Sequence, residues 1–158
     1  MYVWWMLRDM IGGDGSFAVE RHLYRASDGE GVDNLPQFIQ KQIPSRDLAW
    51  FFDDWVYHDR GLPDFRVDSV YPTQTTQGAY LVTVTIENLG GAGAEVPVTI
   101  RGKDSEVTKR LEVHGKSKNS FRVVVPSLPE EVVVNDGSVP ESDMSNNEFK
   151  VQPAAEAH

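Results

Sequence analysis

The sequence predicts an α+β chain: a small all-helical segment of about four helices, then a seven-stranded antiparallel β-sandwich. Three observations predict it. The four tryptophans, Trp4, Trp5, Trp50 and Trp55, all precede residue 61, in stretches whose apolar residues recur at helical spacing. From Phe65 the apolar period changes to two, with Gly, Asn and Pro between short runs of Val, Thr and Ile. Between the two patterns stands Gly61-Leu62-Pro63, which stops a helix. The expected organisation is a helical part over 1–61, an immunoglobulin- or fibronectin-like sandwich over 62–152 and a disordered tail over 153–158.

The first helix is expected over about Tyr2 to Ile11. Only Arg8 and Asp9 interrupt its apolar residues. A helix apolar on nearly every side is one surrounded by protein, and three short companions can hardly surround it. The second is expected from about Ser16 to Ala26, carrying Phe17, Leu23 and Tyr24. The third follows Asn34, an N-cap residue with Gln37 three positions on. Its stripe is Leu35, Phe38, Ile39 and Ile43. The fourth begins after Ser45, with Asp47 in its first turn. Leu48, Phe51, Phe52, Trp55 and Val56 follow the i, i+3, i+4, i+7, i+8 pattern of one buried stripe. Gly61 suits a C′ position, and Pro63 blocks continuation.

The strands follow. "FRVDSVY" alternates with one slip, and "AYLVTVTIEN" sets Tyr80, Val82, Val84 and Ile86 on one face. "EVPVTIRG", "EVTKRLEVHG", "NSFRVVVPS", "EVVVND" and "NEFKVQ" complete the seven. Tyr80, Phe121 and Phe149 are expected in the core. "ENLGGAGAE" has no Lys-Ser/Thr and joins two strands, so it is a flexible turn and not a phosphate loop.

With 158 residues, 40% of them hydrophobic, the chain can build a core. The net charge is −9, acidic residues outnumber basic ones on both sides of Gly61, and no basic run exists. Nucleic acid and anionic membrane are therefore not expected partners. The absence of cysteine excludes disulfides, Cys-based zinc sites and a thiol nucleophile. No apolar run reaches the roughly 18 residues of a membrane span. The opening "MYVWWMLRDMIGG" has neither the basic region nor the cleavage site of a signal peptide.

Candidate chemistry is sparse. His22, His58, His114 and His158 are far apart in sequence, no His-Glu-x-x-His is present, and no Gly-x-Ser-x-Gly elbow occurs. No catalytic residue is expected, and no cofactor in this chain. Asp53 and Asp54 diverge by about 100° on a helix and belong to a solvated face. "NDGSVPESDMSNN" groups Asn135, Asp136, Glu141, Asp143, Asn146 and Asn147. Such oxygens suit calcium, with Asp136, Glu141 and Asp143 as candidate ligands. The same residue types also build turns.

The helical part resembles the C-terminal end of the catalytic domain of aminopeptidase N-like zinc metallopeptidases, the gluzincins. "YVWWMLRDMIGGDGSFAVERHLYRA" looks like that family's Met-Leu-Arg helix, Gly-Asp and Phe-led helix. "RDLAWFFDDWVYHDRGLPDFRV" looks like its closing Phe-Phe-x-x-Trp helix and Gly-x-Pro, a signature carried here by Phe51, Phe52, Trp55, Gly61 and Pro63. The resemblance covers residues 2 to 67 and reaches none of the family's zinc or catalytic residues. It implies a parent peptidase with zinc, peptide substrates reached through that parent, the rest of the peptidase domain as partner, and an extracellular or periplasmic location. The β part resembles a bacterial adhesion-type sandwich through "VTVTIENLGGAGAEVPVTI" and "VVVNDGSVPESDMSNNEF". The expected role is a structural and interaction piece of a peptidase. The alternative is a stand-alone binding or adhesion module whose sandwich recognises protein or polysaccharide.

Overall fold

The structure is a computed structural model. It describes residues 2–26 and 35–151, and their side chains except those of 14–20, 22–26, 35 and 42. The chain divides into two compact units, residues 1–60 and 61–158. Asn34, the tail 153–158 with His158, and the side chains of Phe17, His22, Leu23, Tyr24 and Leu35 lie outside what is described.

The first unit has three helical elements among the described residues, the first of them broken by a kink into two helices. Helix α1 is Tyr2–Ala26, α2 Leu35–Gln42 and α3 Ala49–Phe52, which runs on as a π-helical turn over Asp53–Tyr57. Element α1 is two helices joined across a kink at Gly12 (φ 76°, ψ 174°), close to the expected boundary between the first and second helices. Only glycine adopts that backbone without strain. The kink frees carbonyls of the preceding turn, and the Arg46 guanidinium donates to Met10 O at 2.6 Å. A cation at a helix C-terminus is favoured there by the dipole.

The fourth helix starts at Ala49 and not after Ser45. Gln40 explains why. Its Nε2 donates to Ile43 O (3.2 Å) and Arg46 O (2.6 Å), and its Oε1 accepts from Leu48 N (2.7 Å). One side chain thus satisfies three backbone groups of 43–48 outside a helix. Asp47 lies before the helix and accepts from Ala49 N at 3.0 Å. Leu48 and Phe51 are fully buried, and Phe52 and Ile39 nearly so. Phe51 meets Trp50 and Phe52 edge-on and stacks with Trp55 at 6.4 Å. The apolar stripe stops short of Val56, which is exposed. The i→i+5 bond from His58 N to Asp53 O widens the last turn and carries Val56 off the stripe. His58 is extended, so Gly61 (φ 76°) is not the C′ residue of this helix.

In the second unit the strands are β1 Phe65–Gln74, β2 Tyr80–Asn88, β3 Ala94–Gly102, β4 Glu106–Val113, β5 Lys118–Val125, β6 Pro129–Val134 and β7 Glu148–Lys150. They form two antiparallel sheets, β1-β2-β5 and β4-β3-β6-β7. Period-2 alternation turns Phe65, Val67, Val82, Val84 and Ile86 inward from one sheet. Val96, Val98, Ile100, Val113, Val132 and Val134 do so from the other. A bulge between Val67 and Ser69 is the slip in "FRVDSVY", and it sets Val70, half-buried, opposite the buried Val84. Tyr80, Phe121 and Phe149 are half-buried. The outer faces carry ion pairs such as Arg110–Glu95 at 2.6 Å, and surface pairs of this kind contribute little to stability.

"ENLGGAGAE" is not a flexible turn. Ala92 and Ala94 are fully buried. A Cβ on Gly115 would collide with the Gly91 carbonyl, and one on Gly90 with the backbone of Leu62 and Pro63. Gly115→Ala is therefore expected to destabilise the sandwich by about 1–3 kcal/mol through overpacking. A denaturant midpoint by circular dichroism measures it; an unchanged midpoint would mean that the two loops separate freely.

Candidate functional site

The chemistry-bearing residues of the second unit gather where "NDGSVPESDMSNN" meets the residues before β1. Strand β6 ends at Val134, and Asn135 turns the chain with φ 68°. That left-handed conformation is open to Asn because its short amide bonds locally. Asn135 Oδ1 accepts from Gly137 N (3.1 Å) and Val139 N (3.3 Å). Its Nδ2 donates to Val139 O (2.8 Å) and Glu141 Oε2 (2.7 Å).

Glu141 is the centre of this loop. Its Oε1 accepts from Phe65 N at 2.7 Å, and its Oε2 also accepts from Asn147 Nδ2 at 2.5 Å. One carboxylate thereby joins the start of β1 to both ends of the loop. Asn146 Nδ2 donates to Asp64 Oδ1 at 3.0 Å, and Ser142 N donates to Pro63 O at 3.0 Å. Asn88 performs the equivalent task on the neighbouring loop. It accepts from Asp64 N and Gly90 N and donates to Ala92 O.

The calcium candidates do not converge. Asp136 accepts from Ser138 N (3.0 Å) and Asp143 from Ser145 N (2.8 Å), each closing its own turn. Of the three, only Glu141 points into the loop cluster. Among the described residues no group of three or more His, Asp or Glu side chains is placed to hold a metal ion. Sequence reasoning missed Asp64, whose side-chain partner Asn146 is distant along the chain, and Asn88, which ties Asp64 N to its own loop at Gly90 and Ala92. Of the helical signature, Phe51 and Phe52 are buried, Trp55 is half-buried, and Pro63 is buried within the second unit.

Charge and burial act differently on these carboxyls. Burial pushes Glu141 above the usual glutamate range, and the hydrogen bonds from Asn135, Phe65 and Asn147 only partly offset it. For Asp136, burial works upward, but the hydrogen bond from Ser138 N, the residue's own backbone and the charge of Arg110 together hold the carboxyl low. The Ser145 hydroxyl and amide hold Asp143 low, and Arg60, ahead of His58, does so for Asp53. Because Glu141 is raised, the folded chain keeps a proton there that the unfolded chain has released. Its contribution to stability is full below the usual glutamate range and declines as pH rises through the raised folded value. Wild type minus Glu141→Gln, melted across that window, is expected to show this decline. A flat difference would show that the carboxyl stays hydrated.

In the first unit, Met6, Leu7 and Met10 of α1 are buried, whereas Tyr2 and Trp5 are 59% and 45% exposed. Arg8 lies over the Trp5 ring, 5.2 Å from its centroid. A separate apolar groove of about 380 Å³ is lined by Pro36, Gln37, Lys41, Phe52 and Tyr57 among others. His58 Nδ1 and Arg60 Nη2 both meet Asp53, at 2.9 and 3.0 Å. Among the described residues no helix is long and apolar enough to cross a membrane.

No family model and no curated protein matches the chain. Among solved structures it is similar to the CARDB domain of a protein from Pyrococcus furiosus, crystallised in complex with di-metal ions. The two share 18% identity over 55% of this chain and 83% of that one, at a TM-score of 0.46.

Proposed function

We propose that this chain is a non-catalytic structural and interaction piece of an aminopeptidase N-like zinc peptidase. In this proposal the helical unit packs against the remainder of the peptidase domain, and the sandwich is an appended binding domain. The parent removes N-terminal residues from peptides with zinc-bound water, outside the cell or in the periplasm. The observation that carries the proposal is the outward face of α1. Tyr2 and Trp5 are one helical turn apart and exposed, on a helix whose Met6, Leu7 and Met10 are already buried. Isolated apolar residues on a surface need no explanation, but two large aromatics on one face of a helix suit an interface.

The test uses the chain itself. It is expected to self-associate or bind a hydrophobic dye in sedimentation and fluorescence measurements, and Tyr2→Ser with Trp5→Ser is expected to abolish both. A dye-silent monomer would favour the second hypothesis, a stand-alone binding module, which the self-contained core of the sandwich supports. Zinc-dependent release of an N-terminal residue by this chain alone would overturn the division of labour.

A further inference from the structure

The loop cluster has more oxygen acceptors than donors. Asp64 and Glu141 come to the same end of the sandwich: Glu141 accepts from the amide of Phe65, the residue after Asp64, and the adjacent Asn146 and Asn147 bond Asp64 and Glu141 respectively. Asn146 and Asn147 each donate their amide N–H to one of these carboxylates. Their own side-chain oxygens, both buried, have no hydrogen-bond partner. Asn147 as a whole is only 4% exposed. The oxygen and nitrogen of one carboxamide are about 2.3 Å apart, so each orphan oxygen sits beside the carboxylate its nitrogen touches. Exchanging the two atoms would set oxygen against carboxylate, which fixes the orientation.

A carboxylate offers about four acceptor positions. Glu141 uses three of them, for Phe65, Asn135 and Asn147. Asp64 uses one for Asn146. A buried amide oxygen left unpaired is costly, and two sit here beside two negative charges. Arg66 is the nearby cation that feels Asp64, but its guanidinium is bonded to Glu87 at 2.6 Å. What the site lacks is a positive group that takes several oxygens at once.

We propose that Asp64, Glu141, Asn146 and Asn147 form a site for a hard divalent cation, with water completing the shell. Calcium fits better than magnesium. It accepts neutral amide oxygens and irregular geometry at about six to eight ligands, where magnesium demands a near-ideal octahedron. The ligands differ from those read from the loop sequence: Asp136 and Asp143 serve their own turns, and the second carboxylate comes from the residue before β1. The bound ion would clasp the start of β1 to the end of the 135–147 loop.

The experiment is thermal and denaturant unfolding of the whole chain, stripped with chelator and then titrated with calcium chloride, with isothermal titration alongside. A dissociation constant of about 10⁻⁴–10⁻³ M is expected, as for extracellular modules. Calcium at about ten times that constant should raise the folded-to-unfolded ratio about tenfold. Asp64→Asn is expected to fold, since its amide oxygen still accepts from Asn146, and to lose the response. Glu141→Gln should lose it too, and if that variant does not fold the Asp64 variant still decides. No heat and no stabilisation in wild type would overturn the proposal, leaving water as the partner of the orphan oxygens. A response lost in Asp143→Asn but kept in Asp64→Asn would overturn it as well.

Discussion

Asn135→Ala is expected to lower the stability of the sandwich by about 2–5 kcal/mol, the sum of two effects. The side chain makes four hydrogen bonds in a buried setting, to Gly137 N, Val139 N, Val139 O and Glu141 Oε2. Removing it leaves buried partners unpaired, at about 1–3 kcal/mol for each poorly rehydrated group. The backbone at Asn135 also has φ 68°, a conformation costing a Cβ residue other than Asn or Asp about 1–2 kcal/mol. Asn135→Gly separates the two, because glycine relieves the backbone strain and still lacks the amide. Denaturant unfolding by circular dichroism should place wild type highest, the Asn135→Gly variant next and the Asn135→Ala variant lowest. Equal midpoints for wild type and Asn135→Ala would mean that the loop is not coupled to the fold.

The second large effect is expected in the helical unit. Phe51→Ala should cost about 3–5 kcal/mol, the usual range for a buried aromatic truncation. The Phe51 side chain is fully buried, and Trp50, Phe52 and Trp55 all lean on it. A unit of about 60 residues buries a smaller fraction of its surface than a large one and has little stability in reserve. The loss should therefore abolish its cooperative transition. All four tryptophans lie in this unit, so tryptophan emission reports on it alone, and circular dichroism of the strands reports on the other. A cooperative emission change that survives the substitution would mean that the Phe51 cluster is not the core of the helical unit.

Much of the fold was legible because it depends on neighbours along the chain. A strand declares itself by an alternation visible within a short window, as in "AYLVTVTIEN". The one slip in "FRVDSVY" is the bulge at Val67/Ser69. The helical stripe of Leu48, Phe51 and Phe52 is equally local. Errors arose where a distant or atypical bond intervened. Gln40 holds 43–48 out of the helix from outside that segment, and one i→i+5 bond rotates Val56 to the surface.

The sequence by itself determined the change from helical to strand periodicity, the two-part organisation it implies, and the presence of an oxygen-rich loop after β6. Periodicity and turn chemistry are properties of short segments, and burial of one face makes them cooperative. Only the tertiary structure decided what the loop does with its oxygens. It turned Asp136 and Asp143 onto their own turns and sent Glu141 across to Phe65 N, 76 residues away along the chain. It also brought Asp64 to Asn146. The physical reason is that a carboxylate's partner is set by which loops the sheet topology brings to the same end of the sandwich, and no local pattern carries that information.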